Sequence, residues 1–240
     1  MSVTAAVTAL LAGPLTWMLL GALDRILPGD FLAAQMREQP AGTPAVRQIG
    51  GLALVPVYLA SVAAIALAQS GTFALAVPAA AAIALLWLVG MADDHRHLPA
   101  GPRLAAHLVA ALAVVWPLPD TMSVLGGLAP LWLERMLVVA GLVYAINVTN
   151  FMDGMDLMSV VGVGIPLAAC ALLLAHVPGQ ELVAFTSLAL AAALAGFAIF
   201  NRPPARLYLG DNGALPLGLA AGMAGLHLCF ATNPVTAILP

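Results

Sequence analysis

The sequence predicts an all-α, polytopic integral membrane protein: a bundle of about eight transmembrane helices with its N-terminus outside. Composition is the first reason. Of 240 residues, 62% are hydrophobic and 8% charged, whereas an ordinary soluble domain is roughly 25% charged. So few charges cannot cover a water-facing surface. Run length is the second: a bilayer core takes roughly 17–25 apolar residues per helix, and the chain offers such runs repeatedly. The third is the alternation of arginine-bearing loops. Together these exclude a soluble enzyme, a disordered tail, a coiled coil and a nucleic-acid binder.

Clear apolar runs cover Val3–Leu23, Ile49–Ala68, Phe73–Met91, Leu157–Val177, Leu182–Phe200 and Ala214–Ala231. Two more are less clean. Leu104–Leu118 is short and carries His107, and a span ending at Val148 is short unless it starts before Glu134 and Arg135. Backbone groups in lipid must be satisfied within each segment, so the runs read as helices. The first lacks a basic leader and is too long for a signal peptide, so it reads as a retained span. Pro14, Pro56, Pro78, Pro166 and Pro216 lie inside runs and predict bends.

Arg25, Arg37 and Arg47 fall between spans one and two, Arg96 and Arg103 between three and four, and Arg202 and Arg206 between seven and eight. Only Arg135 falls on the other side. The positive-inside rule makes the arginine side cytoplasmic. There are eight arginines and no lysine, hence no basic run for nucleic acid or anionic lipid. Cys170 and Cys229 sit in apolar runs and read as small packing residues rather than a disulfide.

Most acids gather on the arginine side. Asp24, Asp30 and Glu38 read as loop-solvating charges. Asp93, Asp94, Asp153, Asp156 and Asp211 have organised neighbours and point to a cation or a reaction. Adjacent Asp93 and Asp94 close span three, and adjacent like charges cost energy unless a cation or proton offsets them. Asn147, Asn150 and Asp153 recur every third residue, which on a helix is one face. Gly154 can break that helix and let Asp156 turn toward the same site. Gly210-Asp211-Asn212-Gly213 forms a turn at the start of span eight, predicting free backbone N–H groups beside Asp211 with Arg206 near. Carboxylates without a Cys/His set suit a hard ion such as Mg²⁺. Chemistry alone thus leaves two readings, a Mg²⁺-dependent phosphate site or a cation-coupled transporter. The latter wants acids near the midplane of broken helices, whereas these lie at helix ends. His95 and His97 read as solvated loop residues, and His107, His176 and His227 as packing or interface residues.

Four segments in order resemble the polyprenyl-phosphate N-acetylhexosamine-1-phosphate transferases: Arg47-Gln-Ile-Gly50-Gly51; Gly90-Met-Ala-Asp93-Asp94; Asn147-Val-Thr-Asn150-Phe-Met-Asp153-Gly-Met-Asp156; and Asn201-Arg-Pro-Pro-Ala-Arg206-Leu-Tyr-Leu-Gly210-Asp211-Asn-Gly213. The similarity runs from about Gly42 to the C-terminus, with Leu157 where the family usually has glycine and Asn212 where it has serine.

The resemblance implies that a polyprenyl phosphate attacks the β-phosphorus of a UDP-N-acetylhexosamine, releasing UMP and starting a cell-envelope glycan such as an O-antigen. It further implies Asp211 as a Mg²⁺ (or Mn²⁺) ligand with Asn150 as a second oxygen donor. Asp153 and Asp156 would shape the nucleotide and metal site, Asp93 would position the lipid phosphate with Asp94 in support, and Arg103 and Arg206 would pair with phosphate oxygens. The setting is the bacterial inner membrane with the site facing the cytoplasm. The expected organisation is one transferase domain over 1–240 without the family's C-terminal His-rich loop and last helices. A homologue that binds ligand without turnover is the alternative, and a homodimer is left open.

Overall fold

The computed structural model describes residues 3–33, 46–69 and 72–232. Arg37, Glu38 and the apolar tail after Thr232 lie outside them. Eight α-helices follow in order: α1 (Val3–Ile26), α2 (Gly50–Ala68), α3 (Phe73–Arg96), α4 (Ala100–Val115), α5 (Leu131–Met152), α6 (Ile165–Leu174), α7 (Glu181–Asn201) and α8 (Asp211–Thr232). Six are long and apolar enough to cross a membrane; α4 and the segment Val160–Leu174 are shorter. The protein is a multi-pass helical membrane protein, as the apolar runs predict.

Two boundaries differ instructively from the apolar runs. Helix α5 begins at Leu131, so it takes in Glu134 and Arg135. Both charges are used: buried Glu134 accepts the Ser123 hydroxyl at 2.7 Å and the Val124 N–H, while Arg135 donates to the carbonyl of Pro119 at 2.7 Å. They hold the α4–α5 connection on the end of the bundle. The run from Leu157 is not one regular span. Leu157 has φ of +59°, and a π-helical turn, Val160–Gly164, precedes α6. Pro166 brings no N–H and its ring crowds the carbonyl four residues back, and the wider turn relieves this crowding.

The left-handed φ at Leu157 gives a physical reason for glycine at the equivalent family position. An L side chain there costs about 1–2 kcal/mol. Leu157→Gly is therefore expected to leave thermal stability unchanged or raise it. Leu157→Ile keeps the apolar bulk but is β-branched, and should cost about 1 kcal/mol more. A higher melting temperature for the isoleucine variant would refute this.

Helix α8 is the central post, packed against α2, α3 and α5. Small residues make this possible. A Cβ on Gly218 would stand 2.6 Å from the Ile146 Cα, and one on Gly222 would stand 2.8 Å from a Leu142 methyl, so two glycines one turn apart let α5 seat on α8. Gly13 and Gly196 do the same where α1 crosses α7. Gly218→Val should force α5 away and cost about 1–3 kcal/mol, whereas Gly225→Ala, with open space around it, should be tolerated. Melting temperatures in detergent would test the pair; equal values would refute the packing argument.

Candidate active site

The N-terminal end of α8 meets the C-terminal end of α3, and glycines allow that meeting. A Cβ on Gly90 would collide with the Asp211 backbone, and one on Gly51 with the Asn212 amide. The segment before α8 is also pinned by backbone pairing: Tyr208 N–H donates to the Arg47 carbonyl at 2.9 Å, and Gly50 and Gly51 donate back to Tyr208 and Leu209 at 3.0 and 2.9 Å. The glycines of the first, second and fourth motifs thus serve one junction.

Across that junction Asp94 caps α8 from a different helix. Its carboxylate accepts the backbone N–H groups of Asp211 and Asn212, each at 2.9 Å, and the Asn212 side-chain amide. The other donors of the turn, Gly213 and Ala214 N–H, go to the Gly210 carbonyl. This corrects the expectation of free N–H groups at the α8 N-terminus. The first-turn donors, otherwise available to a phosphate, are occupied by a carboxylate, so any anion here must be met by side chains. Asn212 is fully buried and also donates to the Gln48 carbonyl at 3.0 Å, tying the start of α2 to the same point.

Asp93 faces the other way. It is 6% exposed and accepts the Leu98 N–H at 2.6 Å on one oxygen and Arg103 Nη1 at 2.6 Å on the other. Arg103 Nη1 is also 3.6 Å from Asp211 Oδ2. Two carboxylates, Asp93 and Asp211, therefore share one guanidinium. Two carboxyls gathered on one guanidinium repel each other unless a proton or a cation offsets their charge.

Helix α5 stops at Met152, one residue before Asp153. Asp153 accepts the Ser159 hydroxyl at 2.7 Å and the Gly210 N–H at 3.2 Å, which holds the end of α5 to the residue before Asp211. Burial pushes its carboxyl up to about 7; the Ser159 and Gly210 donors pull it down, and the Asp94 charge adds to the rise. In metal-free protein the unfolded chain ionises Asp153 near pH 4 while the folded chain keeps the proton to about 7. Stability is thus lost as pH rises through that window and levels off above it. Melting in EDTA should be lower at pH 7.5 than at pH 5, and Asp153→Asn should shrink that difference. An unchanged difference would refute the assignment.

The remaining expected residues are placed less centrally. Asp156 accepts the Ala205 N–H at 3.1 Å, so it does not turn toward Asp211 but fixes the loop after α7. Buried Asn201 joins the same loop to the α5–α6 turn, accepting from Leu157 N–H at 2.8 Å and donating to the Leu207 carbonyl at 3.0 Å. Asn150 is half-buried on α5, and its side chain has no hydrogen bond among the described residues. The partners of Asp211 are Asp93, Asp94 and Arg103. Exposed Asn147 donates to the Val143 carbonyl and lies 3.3 Å from His107 Nδ1. Arg206 is removed from the cluster: it pairs with Asp24 at 3.0 Å and lies over the Phe200 ring. Asp24 is no loop-solvating charge, since it also pairs with Arg47. His95 and His97 are exposed as expected. His227, bonded to Gln180 at 2.9 Å, packs between helices. Both cysteines are free.

Residues 76–228 match the family described as Glycosyl transferase family 4, and that stretch contains the carboxylate junction. The phospho-N-acetylmuramoyl-pentapeptide-transferase of Picosynechococcus sp. is 32% identical over 244 residues, covering 92% of this chain and 63% of the relative. Its counterpart in Synechococcus sp. is 30% identical over 245 residues, covering 90% and 65%. That of Oceanobacillus iheyensis is 37% identical over 97 residues, covering 40% and 30%. The chain spans less than two thirds of the length of each of these curated relatives. With a match across well over half of its residues, and with the motifs of the match meeting at one end of one bundle, the chain belongs to glycosyl transferase family 4.

Proposed function

We propose that the protein transfers an N-acetylhexosamine-1-phosphate unit from a UDP-sugar to a polyprenyl phosphate at the cytoplasmic face of a bacterial inner membrane, releasing UMP. The observation that carries the reading is the contact cluster of Asp93, Asp211 and Arg103, assembled from two motif segments at the arginine-rich end of the bundle. In the reaction a lipid-phosphate oxygen forms a bond to the β-phosphorus and the bond to the UMP oxygen breaks. Arg103, 36% exposed on its side chain, can turn one edge of its guanidinium to a phosphate while the other stays on Asp93. Asp93, held by two donors, fixes where that guanidinium sits. Asp94 fixes where Asp211 sits, and Asp153 holds the preceding glycine.

The donor set fits Mg²⁺. It is all oxygen, and the like charges of Asp93 and Asp211, which Arg103 bridges in part, would be further offset by a hard cation. Among the described residues no three His, Cys, Asp or Glu form a metal-holding group. Mg²⁺ held here would therefore take most of its shell from waters and substrate phosphates. Bound there, Mg²⁺ would neutralise the charge that builds on the transferring phosphate.

A groove between α4 and α5, about 810 Å³, supports a polyprenyl acceptor. Leu104, Leu108, Leu112, Met136 and Val143 line it, and Leu104 adjoins Arg103. An isoprenoid chain laid there would put its phosphate beside the guanidinium.

The names of the relatives favour a second donor, UDP-N-acetylmuramoyl-pentapeptide, and with it peptidoglycan rather than an O-antigen. The test is UMP release by the purified full chain with undecaprenyl phosphate, offered UDP-N-acetylglucosamine, UDP-N-acetylgalactosamine or the muramoyl-pentapeptide donor, in Mg²⁺ or EDTA. Release that needs lipid and metal supports the transferase and selects the donor. No release from folded protein with any donor overturns it in favour of a ligand-binding homologue.

A further inference from the structure

The sequence has no basic run, yet the fold gathers three arginines from distant segments at the cytoplasmic ends of α1 and α7. Arg47 is saturated: it donates to the carbonyls of Leu27, Pro28 and Asp24 and pairs with the Asp24 carboxylate. Arg206 shares that same carboxylate at 3.0 Å and keeps 66% of its side chain exposed. Arg25 is exposed and has no partner among the described residues. Three guanidinium groups and one carboxylate leave a net charge of about +2 at the depth where lipid headgroups lie.

Arg25, Arg206 and Asp24 rim a pocket of about 490 Å³ whose walls are Trp17, Met18 and Ile199. Those three apolar side chains are 48%, 62% and 47% exposed, so they face lipid. A charged rim above an apolar, aromatic wall matches one amphiphile: an anionic headgroup at the interface with a chain running down into the bilayer.

We propose that this pocket binds an anionic phospholipid, its phosphodiester on Arg25 and Arg206 and an acyl chain along Trp17, Met18 and Ile199. Basic pockets between transmembrane helices are suited to such headgroups. The polyprenyl acceptor is a poorer occupant. None of Asp93, Arg103 and Asp211 borders the pocket, so a phosphate held there is outside their contact range. Bound lipid would touch Arg206, on the same short segment that carries Asp211, and so would brace the α7–α8 connection from the bilayer side.

Native mass spectrometry of the full chain, loaded with dioleoyl phosphatidylglycerol or dioleoyl phosphatidylcholine, tests this. Two arginines at the surface predict about a 30-fold preference for one retained phosphatidylglycerol. Arg25→Gln/Arg206→Gln should reduce retention to the phosphatidylcholine level. Gly21→Leu keeps both arginines but fills the pocket; a Cβ there meets only a Phe200 ring carbon, at 3.9 Å, so the helix tolerates it. It should lose the lipid equally. Equal retention of the two lipids by wild type would overturn the proposal. So would a preference that survives in a folded Gly21→Leu protein. Displacement of phosphatidylglycerol by one equivalent of polyprenyl phosphate would overturn it too and reassign the pocket to the acceptor.

Discussion

Asp211→Asn is expected to lower Mg²⁺-dependent UMP release by about 10³-fold, roughly 4 kcal/mol of transition-state stabilisation, while leaving the fold intact. The asymmetry follows from the like charge of Asp93. Both carboxyls sit at the one Arg103 guanidinium, and an amide removes one of two like charges while it can still hydrogen-bond its neighbours. Melting in EDTA should therefore be unchanged or higher in the variant. On the proposed function Mg²⁺ should raise the melting temperature of the wild type, and that rise should be absent in the variant, because a ligand stabilises only the state that binds it. A variant that keeps a tenth of wild-type turnover, or the full Mg²⁺ shift, would remove Asp211 from the metal site.

Asp94→Ala should behave differently, losing both stability and activity. Asp94 takes two backbone N–H groups of the first turn of α8 and the Asn212 amide. Loss of an N-cap costs about 1 kcal/mol, and buried donors left without a partner cost about 1–3 kcal/mol more. A total near 3 kcal/mol is expected, with activity falling because Asp211 is the first residue of the released helix. Asp94→Asn retains one acceptor oxygen and should fall between alanine and wild type in stability. If Asp94→Ala melts like wild type yet is inactive, Asp94 acts on substrate and not as the cap of α8.

The two aspartates are adjacent in sequence and opposite in role, and their adjacency alone does not separate them. On a helix, neighbouring side chains diverge by about 100°. Which one points at the α8 backbone is set by how α3 lies against α8, and that contact depends on Gly90 and Gly51 passing close to another chain segment. The same holds for the arginines. Arg103 follows the Asp93-Asp94 pair and Arg206 precedes Asp211, but Arg103 folds back onto Asp93 and Asp211 whereas Arg206 points to Asp24 on α1. Asp24, on α1, and Arg47, before α2, acquire partners through contacts between segments that lie far apart in the chain.

By itself the sequence determined what depends on composition and local chemistry. The number of helices follows from apolar run length, because unpaired backbone groups have no solvent in a bilayer core. The clustering of acids at one end and the motif order are likewise legible along the chain. Even the left-handed turn at Leu157 had a local sign, a position where the family usually places glycine. Only the tertiary structure decided which acids meet, that Asp94 rather than a phosphate takes the N–H groups of α8, and that Arg25 and Arg206, far apart in the chain, border one pocket. The physical reason is range. Helix propensity and hydropathy act over a few residues, whereas hydrogen bonds and ion pairs act over a few ångströms in space, and only helix packing brings residues a hundred positions apart within that distance.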